Sequence, residues 1–348
     1  MQVATSFGFF DGDPDKFARH ARDLESAGVD LAWGGEIYGF DLATSLAFLA
    51  GQTERMQLMS GIFPVYSRTP TLIAQTAATI DALSQGRFIL GLGTSGPQVI
   101  EGWHGRPFSK PLATTRETVE VCRLVWSGER VIYEGDAIQL PLPADQGSGL
   151  GKPLKFMGRP FRQDIPIFIA SIGPKNVEIT AELADGWQPI FFVPDRFRDV
   201  WGESLDAGLA KRDASLGPLQ IVAGGPVAFG SPDDDHVKAA REGARANAGF
   251  YVGGMGARDK NFYNDLFKRY GWVDEAQTIQ ELFLSGEREK AFAAVPDEFL
   301  DLSCLCGDEG YVRDRLDAYK EVGVTHLSIQ PVGEDPLKVI EQVKALAE

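Results

Sequence analysis

The chain has 348 residues, of which 44% are hydrophobic and 24% are charged, a composition typical of globular proteins. Its formal net charge of −15 argues against nucleic acid and against an anionic membrane surface as partners. Three cysteines and four histidines argue against a disulfide framework and against a metal site, so we expect a cytoplasmic protein with reduced thiols. No apolar stretch is as long as a membrane span, so none is expected.

A repeated junction organises the chain: a helical pattern, a glycine, and then a short strand that is apolar on both faces. Glycine occupies this junction at Gly28, Gly86, Gly186 and Gly323, where the end of a helix favours a left-handed residue. Strands that are apolar on both faces are typical of parallel sheets covered by helices. In chain order, the predicted strands are 3–9, 30–34, 57–62, 88–92, 165–170, 187–192, 220–227 and 326–331.

Strands that alternate with helices in this way predict an α/β fold, a single (β/α)8 TIM barrel over residues 1–348. Two excursions interrupt the alternation. Residues 97–164, after strand 4, are rich in proline and glycine, and residues 231–301, after strand 7, are largely helical in pattern. Because both leave the carboxyl ends of strands, we expect them to lie over the active-site face of the barrel.

The second predicted strand ends at Trp33-Gly34-Gly35-Glu36. Chemistry in such barrels lies at the ends of strands, so Glu36 is a candidate for proton transfer and Trp33 for a wall of the substrate pocket. A solvated loop carboxylate is the alternative for Glu36. Arg68, after the third strand, is either a cation for an anionic ligand or a surface arginine.

The fourth strand runs into GLGTSG, residues 91–96, which matches the dinucleotide fingerprint G-x-G-x-x-G. That motif requires a helix directly after it, and the prolines and glycines beyond Gly96 predict that no regular helix follows. Thr94, Ser95 and Gly96 instead indicate a phosphate nest of hydroxyl and backbone N–H groups. On the following loop, His104 is a candidate acid or base and Trp103 a candidate substrate contact.

The fifth strand ends in small residues, Ala170 and Ser171, with Gly173 before a helix that begins at Pro174. A helix that begins after a glycine turn is a typical anion site. Lys175 lies in the first turn of this helix, where its charge opposes the helix dipole, and this favours a position facing an anion.

Four segments together resemble the luciferase-like superfamily and, within it, the oxidoreductases that use the deazaflavin coenzyme F420. The segments are GRFILGLGTSGPQVIEGWHGRPF, GLGKPLK, PKNVEITAELADGWQPIFF and YVGGMGARDKNFYNDLFKRYG. The resemblance implies a homodimer and a hydride that passes between C5 of the deazaflavin and a small organic substrate. It implies a non-proline cis peptide at Ser60–Gly61, with Ile62 and Phe63 alongside. It also implies cofactor contacts at Glu36, at Thr94-Ser95-Gly96 and at Ala170-Ser171-Ile172-Gly173.

The chain departs from the sugar-phosphate dehydrogenases of that family. Ile37 stands where they have a histidine, and Gly96-Pro97 stands where they have a glutamate, so sugar-phosphate oxidation is not expected. Either Glu36 or His104 remains open as the proton donor, and the substrate and the direction of hydride transfer remain open too.

Two alternative functions remain at this point: an FMN-dependent two-component monooxygenase and a non-catalytic deazaflavin-binding protein. The deazaflavin carries a phospholactyl-polyglutamate tail beyond its ribityl phosphate, whereas FMN ends at that phosphate. The basic residues of the first excursion either bind such a tail or form a solvated loop face; they are Lys152, Lys155, Arg159 and Arg162.

Overall fold

The computed structural model describes residues 1–347 of the chain. Its centre is a closed barrel of parallel strands in the order β1-β2-β3-β5-β8-β9-β10-β13, and β13 pairs back to β1 with Val3 opposite Leu327. The predicted (β/α)8 barrel is therefore confirmed. The strands are β1 Gln2–Ser6, β2 Leu31–Gly34, β3 Gln57–Ser60, β4 Phe63–Pro64, β5 Phe88–Gly93, β6 Tyr133–Glu134, β7 Gln139–Leu140, β8 Ile167–Ile169, β9 Gly186–Trp187, β10 Gln220–Ala223, β11 Pro226–Phe229, β12 Leu305–Gly307 and β13 His326–Pro331.

Helices surround the barrel, and the first shows why they form. Asp13 caps helix α1 by accepting the Lys16 N–H, a proline follows it, and Phe17, Ala21 and Leu24 are buried on the barrel-facing side. The helices are α1 Pro14–Ser26, α2 Leu42–Ala50, α3 Pro70–Leu83, α4 Pro97–Gly102, α5 Pro111–Trp126, α6 Pro174–Leu183, α7 Phe197–Leu209, α8 Asp235–Gly254, α9 Phe262–Arg269, α10 Val273–Leu284, α11 Arg288–Ala293, α12 Asp297–Ser303, α13 Glu309–Glu321 and α14 Pro336–Ala347.

The interior of the barrel is filled by side chains. One buried cluster takes an inward-facing residue from each of six strands: Ala4, Leu31, Met59, Ile89, Phe168 and Val222. Trp33 packs against this cluster from the side on which the strands end. Because the interior is packed, a ligand can bind only at an end of the barrel.

The junction glycines behave as predicted at three of four positions. Gly28, Gly86 and Gly323 have φ values of +94°, +83° and +87°. The prediction is wrong at Gly186, which lies within strand β9. A Cβ atom there would lie 2.6 Å from the Phe168 ring, so this glycine is required by close approach to the barrel interior.

The first excursion contains more helix than predicted. A short helix, α4, does begin at Pro97, because a proline at the first helical position loses no hydrogen bond there; the expectation of no helix was wrong. Helix α5 follows, with a regular 16 residues. The chain then runs to the opposite end of the barrel, where Arg162 donates to the carbonyl of Phe88 at the start of β5.

The second excursion is largely helical, as predicted, and consists of α8 to α12. The predicted seventh strand is divided at Gly224-Gly225 into β10, which belongs to the barrel, and β11, which pairs with β13 and with the unpredicted strand β12. A Cβ at Gly224 would lie 2.2 Å from the Ser328 carbonyl oxygen, so the strand bends where two backbones approach closely. Among the described residues, no helix is long and apolar enough to cross a membrane.

Candidate functional site

We call the end of the barrel at which the strands finish the mouth, and the opposite end the floor. The mouth consists of residues that directly follow barrel strands, together with the loops they lead into: 6–8, 34–36, 60–63, 94–104, 170–176 and 188–191. Parallel neighbouring strands finish at the same edge, so the structure brings together the predicted residues Glu36, Ser60 to Phe63, Thr94 to Gly96 and Ala170 to Gly173.

The exit of strand β3 is held closely against strand β5. Ser60 Oγ donates to the carbonyl of Gly91 and accepts its N–H, both at 2.9 Å. A Cβ at Gly91 would lie 1.7 Å from the backbone carbonyl oxygen of Ser60. This close approach explains the first glycine of GLGTSG without any nucleotide. The non-proline cis peptide is Gly61–Ile62, one residue beyond the predicted bond, and Phe63 then pairs with Leu92 as part of strand β4.

Glu36 meets Arg68 in a buried ion pair, with Arg68 Nη1 2.6 Å from Glu36 Oε1. Arg68 Nη2 also lies 2.6 Å from Asp41 Oδ1. Burial acts to lower the pKa of Arg68, but the hydrogen bonds and charges of the two carboxylates raise it overall. The prediction of a surface arginine is therefore wrong, since the Arg68 side chain is 12% exposed and paired with two carboxylates. Its contact with an anionic ligand stays a prediction.

The exit of strand β5 has the open backbone expected of a nest. Ser95 has a φ of +55°, and Thr94 Oγ1 donates to its carbonyl at 3.2 Å. Gly96 caps helix α4 without a side-chain hydrogen bond. Farther along, Trp103 is 63% exposed, and His104 holds its Nε2 atom buried with no hydrogen-bond partner.

The exit of strand β8 is a rigid loop. The indole N–H of Trp187 donates to the Ser171 carbonyl at 2.9 Å, and that of Trp201 donates to the Ile172 carbonyl at 2.9 Å. Arg269 also donates to Ile172, at 2.6 Å. Gly173 then begins helix α6 with no side-chain cap, so N–H groups of the first turn face the mouth without a side-chain acceptor.

Lys175 is placed differently from the prediction. Its side chain is 77% exposed and lies 3.0 Å from Glu178 on the same helix. Lys211 and Lys175 hydrogen-bond to Glu178 and lower the pKa of that carboxyl to about 2. The charge that was expected to face an anion is thus partnered at the surface, and its contact with a ligand stays a prediction.

Buried polar atoms without a partner are concentrated at the mouth. Within residues 1–347 there are six such side-chain atoms, and four are at the mouth: Glu36 Oε2, His104 Nε2, Asn176 Oδ1 and Gln188 Oε1. Folded proteins rarely leave buried polar groups unpaired, so these atoms mark the place where a polar ligand or ordered water would complete the hydrogen bonds. The sequence analysis missed Gln188 and Asn176, although the position of Gln188 directly after strand β9 is a usable signal.

Aromatic side chains form the outer wall of the mouth, which we call the aromatic rim: Tyr38, Trp103, Phe191, Tyr251 and Tyr263. The ring centroids of Tyr38 and Trp103 are 6.4 Å apart, and those of Tyr251 and Tyr263 are 4.8 Å apart. Phe191 adopts a φ of +53°, which is rare for a bulky residue, and packs edge-on against Tyr251 at 5.6 Å. Deeper in, Trp33 donates to Ser328 Oγ at 3.0 Å.

The basic residues of the first excursion lie at the wrong end of the barrel for a ligand in the mouth. Arg162 binds the fully buried Asp81 at 2.8 Å at the floor. Lys152 and Lys155 flank Pro153 and Leu154, whose carbonyls accept from Arg130 and Val131 beyond the floor end of helix α5. Arg162 is therefore taken up by Asp81 and the Phe88 carbonyl, whereas a contact of Lys152, Lys155 or Arg159 with the tail of a cofactor stays a prediction.

A closed parallel barrel with an unsatisfied polar mouth under an aromatic rim defines a TIM-barrel protein with a candidate ligand site at the strand ends. Residues 2–326 match the model of the luciferase-like monooxygenase family. The chain belongs to this family.

Two curated relatives cover nearly the whole chain. One, from Mycobacterium tuberculosis, carries the provisional name coenzyme F420-dependent oxidoreductase; it is 39% identical over 333 residues, 94% of each chain. The other is the 5,10-methylenetetrahydromethanopterin reductase of Archaeoglobus fulgidus, 31% identical over 92% of this chain and 90% of the relative. Among solved structures, the coenzyme F420-dependent tetrahydromethanopterin reductase from Methanopyrus kandleri shares the fold, with a TM-score of 0.74, 24% identity and coverage of 99% and 97%.

Proposed function

We propose that this protein is a coenzyme F420-dependent oxidoreductase that transfers a hydride between the deazaflavin and a small organic substrate. The observation that carries the proposal is the set of four buried, unpartnered polar atoms at the mouth. The names of the M. tuberculosis relative and of the M. kandleri structure, both of which include F420, support the choice of cofactor.

The residues at the mouth fit such a cofactor. Thr94 to Gly96 and the uncapped start of helix α6 supply N–H and hydroxyl groups for phosphate. The exit of strand β3, from Ser60 to Phe63, supplies a wall for the ring, and Gln188 supplies a polar contact deeper in. When bound, the deazaflavin supplies the hydride chemistry at C5, and the protein supplies binding, orientation and exclusion of water.

His104 is the better of the two candidates for proton exchange with the substrate. Glu36 already shares Oε1 with a guanidinium and a serine hydroxyl, so it acts as a hydrogen-bond acceptor. Both candidates hold one buried atom without a partner, Glu36 Oε2 and His104 Nε2, but no ion pair holds the imidazole of His104 as an acceptor.

The aromatic rim supports an uncharged, planar substrate. Trp103 and Tyr38 are each 63% exposed and contact each other, an unusual exposure for two large aromatic rings. The Nη1 and Nη2 atoms of Arg68 are each paired with a carboxylate, so its charge is already compensated and does not favour a sugar phosphate.

Parallel titrations of the protein with F420 and FMN test the proposal, with tryptophan fluorescence as the signal. We expect saturable quenching by F420 and weaker binding of FMN. Trp103→Phe should reduce the quenching because this indole lies at the mouth, whereas Trp272→Phe, which removes an indole packed within the helical excursion, serves as the matched control.

Other outcomes would assign the other functions. Preference for FMN would contradict the proposal and favour the two-component monooxygenase. Tight F420 binding without oxidation of the reduced cofactor by any tested acceptor would favour a binding protein. We further propose the homodimer that the resemblance implies, which sedimentation velocity would test.

A further inference from the structure

Arg68 and Glu36 come from different loops of the mouth and form its most buried ion pair. Their side chains are 12% and 7% exposed, and Arg68 Nη1 donates to Glu36 Oε1 at 2.6 Å. On its other side the guanidinium donates from Nη2 to Asp41 Oδ1, also at 2.6 Å. One cation is therefore held between two carboxylates.

Further contacts fix the position of this guanidinium. Its carbon atom lies 4.7 Å from the centroid of the Phe63 ring, in a cation–π contact. Asp41 is itself fixed, because its Oδ2 caps helix α2 by accepting the Thr44 N–H at 2.7 Å. Ser67 Oγ adds a donation to Glu36 Oε1 at 3.1 Å. The two groups that donate to Glu36, Arg68 Nη1 and Ser67 Oγ, both contact the same carboxylate oxygen, Oε1.

The second oxygen of Glu36, Oε2, is buried and accepts no hydrogen bond. A buried carboxylate oxygen without a donor is costly, and a ligand that brings an N–H or O–H group removes that cost. Two carboxylates and one guanidinium leave this corner with one net negative charge, which would repel a phosphate.

We propose that Arg68 is a positioning residue that holds Glu36 as an anionic acceptor for an N–H or O–H group on the ring of the bound cofactor. This inference rests on the proposed function. The same charge directs the phosphate of the cofactor away from Glu36 and toward Thr94–Gly96 and the start of helix α6. Glu36 and Asp41, whose charge Arg68 only half compensates, thereby set the direction in which the cofactor enters the mouth.

A double-mutant cycle on cofactor affinity tests the proposal. If Arg68 acts through Glu36, then E36Q, R68M and the double variant should each weaken F420 binding by about the same factor, about tenfold. R68K keeps a cation near Glu36, and it should restore the affinity to within about threefold of wild type. If R68M does not fold, the cycle is run with R68Q.

R116M is the matched control. Arg116 donates to both carboxylate oxygens of Glu182, at 2.9 and 2.6 Å, in a half-buried pair between α5 and α6 outside the mouth. The R116M variant should lower the thermal midpoint as R68M does, and its F420 affinity should stay at the wild-type value.

Two results would overturn the role of Arg68: wild-type affinity in R68M, or losses that multiply to about a hundredfold in the double variant. If the wild type bound FMN instead of F420, the proposed function would fail, and the same cycle measured with FMN would still decide the role of Arg68. If the wild type bound neither cofactor, both proposals would fall.

Discussion

The two ends of the barrel treat their buried polar groups in opposite ways. At the floor, the fully buried Asp81 forms an ion pair with Arg162. Arg87 donates four hydrogen bonds to acceptors between residues 50 and 56. The carboxylate of Glu25 accepts the N–H groups of three successive residues, 54 to 56. At the mouth, four polar side-chain atoms are buried and have no partner.

This difference separates stability from function within one fold. The same strands run from floor to mouth, so hydrophobic burial alone would stabilise both ends equally and does not explain the difference in their polar groups. Apart from Gln57, the protein itself supplies the partners of the polar groups at the floor, whereas the mouth lacks partners that a bound ligand would supply. Gln57, at the start of β3, is the exception at the floor, since its Oε1 is also buried without a partner.

The largest effect is expected at the floor. R162M leaves the buried carboxylate of Asp81 without its cation and should lower the free energy of unfolding by about 3–5 kcal/mol. Urea denaturation at pH 7 measures this loss, while the F420 affinity of the folded protein should stay unchanged. D81N/R162M, which removes both charges, should recover most of the stability. A loss below about 1 kcal/mol in R162M would contradict the comparison.

Acid should weaken the floor through His326. Burial, which outweighs the opposing charge of Asp30, lowers the pKa of His326 from 6.5 to about 4. Below pH 6.5 the unfolded chain binds a proton that the folded protein excludes, so stability should fall as the pH drops from 6.5 to 4, by about 3 kcal/mol in total. Unfolding measured across this range in wild type and His326→Leu should show a shallower slope in the variant, and equal slopes would refute the assignment.

At the mouth, removing an unpartnered polar atom should raise stability and weaken binding. Q188L replaces a buried, unpaired acceptor by an apolar side chain, so the free energy of unfolding should rise by about 1 kcal/mol while F420 affinity falls about tenfold. Q57L makes the same change at the floor and should leave the affinity unaltered. Equal effects of the two variants on affinity would remove the distinction between the ends.

The smallest effect is expected from Lys175 at the edge of the mouth. Because its ammonium is exposed and paired with Glu178, K175A should lower F420 affinity by about threefold at low salt and by less at high salt. K211A removes the other cation on Glu178, at 2.6 Å, and controls for the loss of that pair. A larger loss of F420 affinity in K175A, independent of salt, would support the direct contact between Lys175 and an anionic ligand that the sequence predicted.

Much of the fold could be predicted, because local signals and global architecture agree. Gly28, Gly86 and Gly323 mark helix ends by a backbone requirement that is visible in the sequence. Gly186 could not be distinguished from them, since its requirement comes from the Phe168 ring on a neighbouring strand. Helix α4 was missed because proline breaks helices in the interior but begins them at the first position.

The location of the site at the strand ends could be predicted from the sequence, but the ion pairs within it could not. The position of Glu36 after a strand indicated the mouth, but its ion pair with Arg68 depends on how two loops meet in the folded protein. The path of the first excursion to the floor, which takes Arg162 to Asp81, is likewise a tertiary feature. The sequence does not show that Gln188 Oε1 and Asn176 Oδ1 are buried without a hydrogen-bond partner, because this depends on every group around them in the folded protein.

Hydrogen–deuterium exchange of the wild-type protein with and without F420 tests the central claim most directly. If the deazaflavin binds at the mouth, F420 should slow the exchange of backbone amide hydrogens in residues 34–36, 94–104, 170–176 and 188–191. Exchange in residues 50–57 and 81–88 at the floor should not change. Protection that is absent from the mouth, or equal at the two ends, would contradict the account.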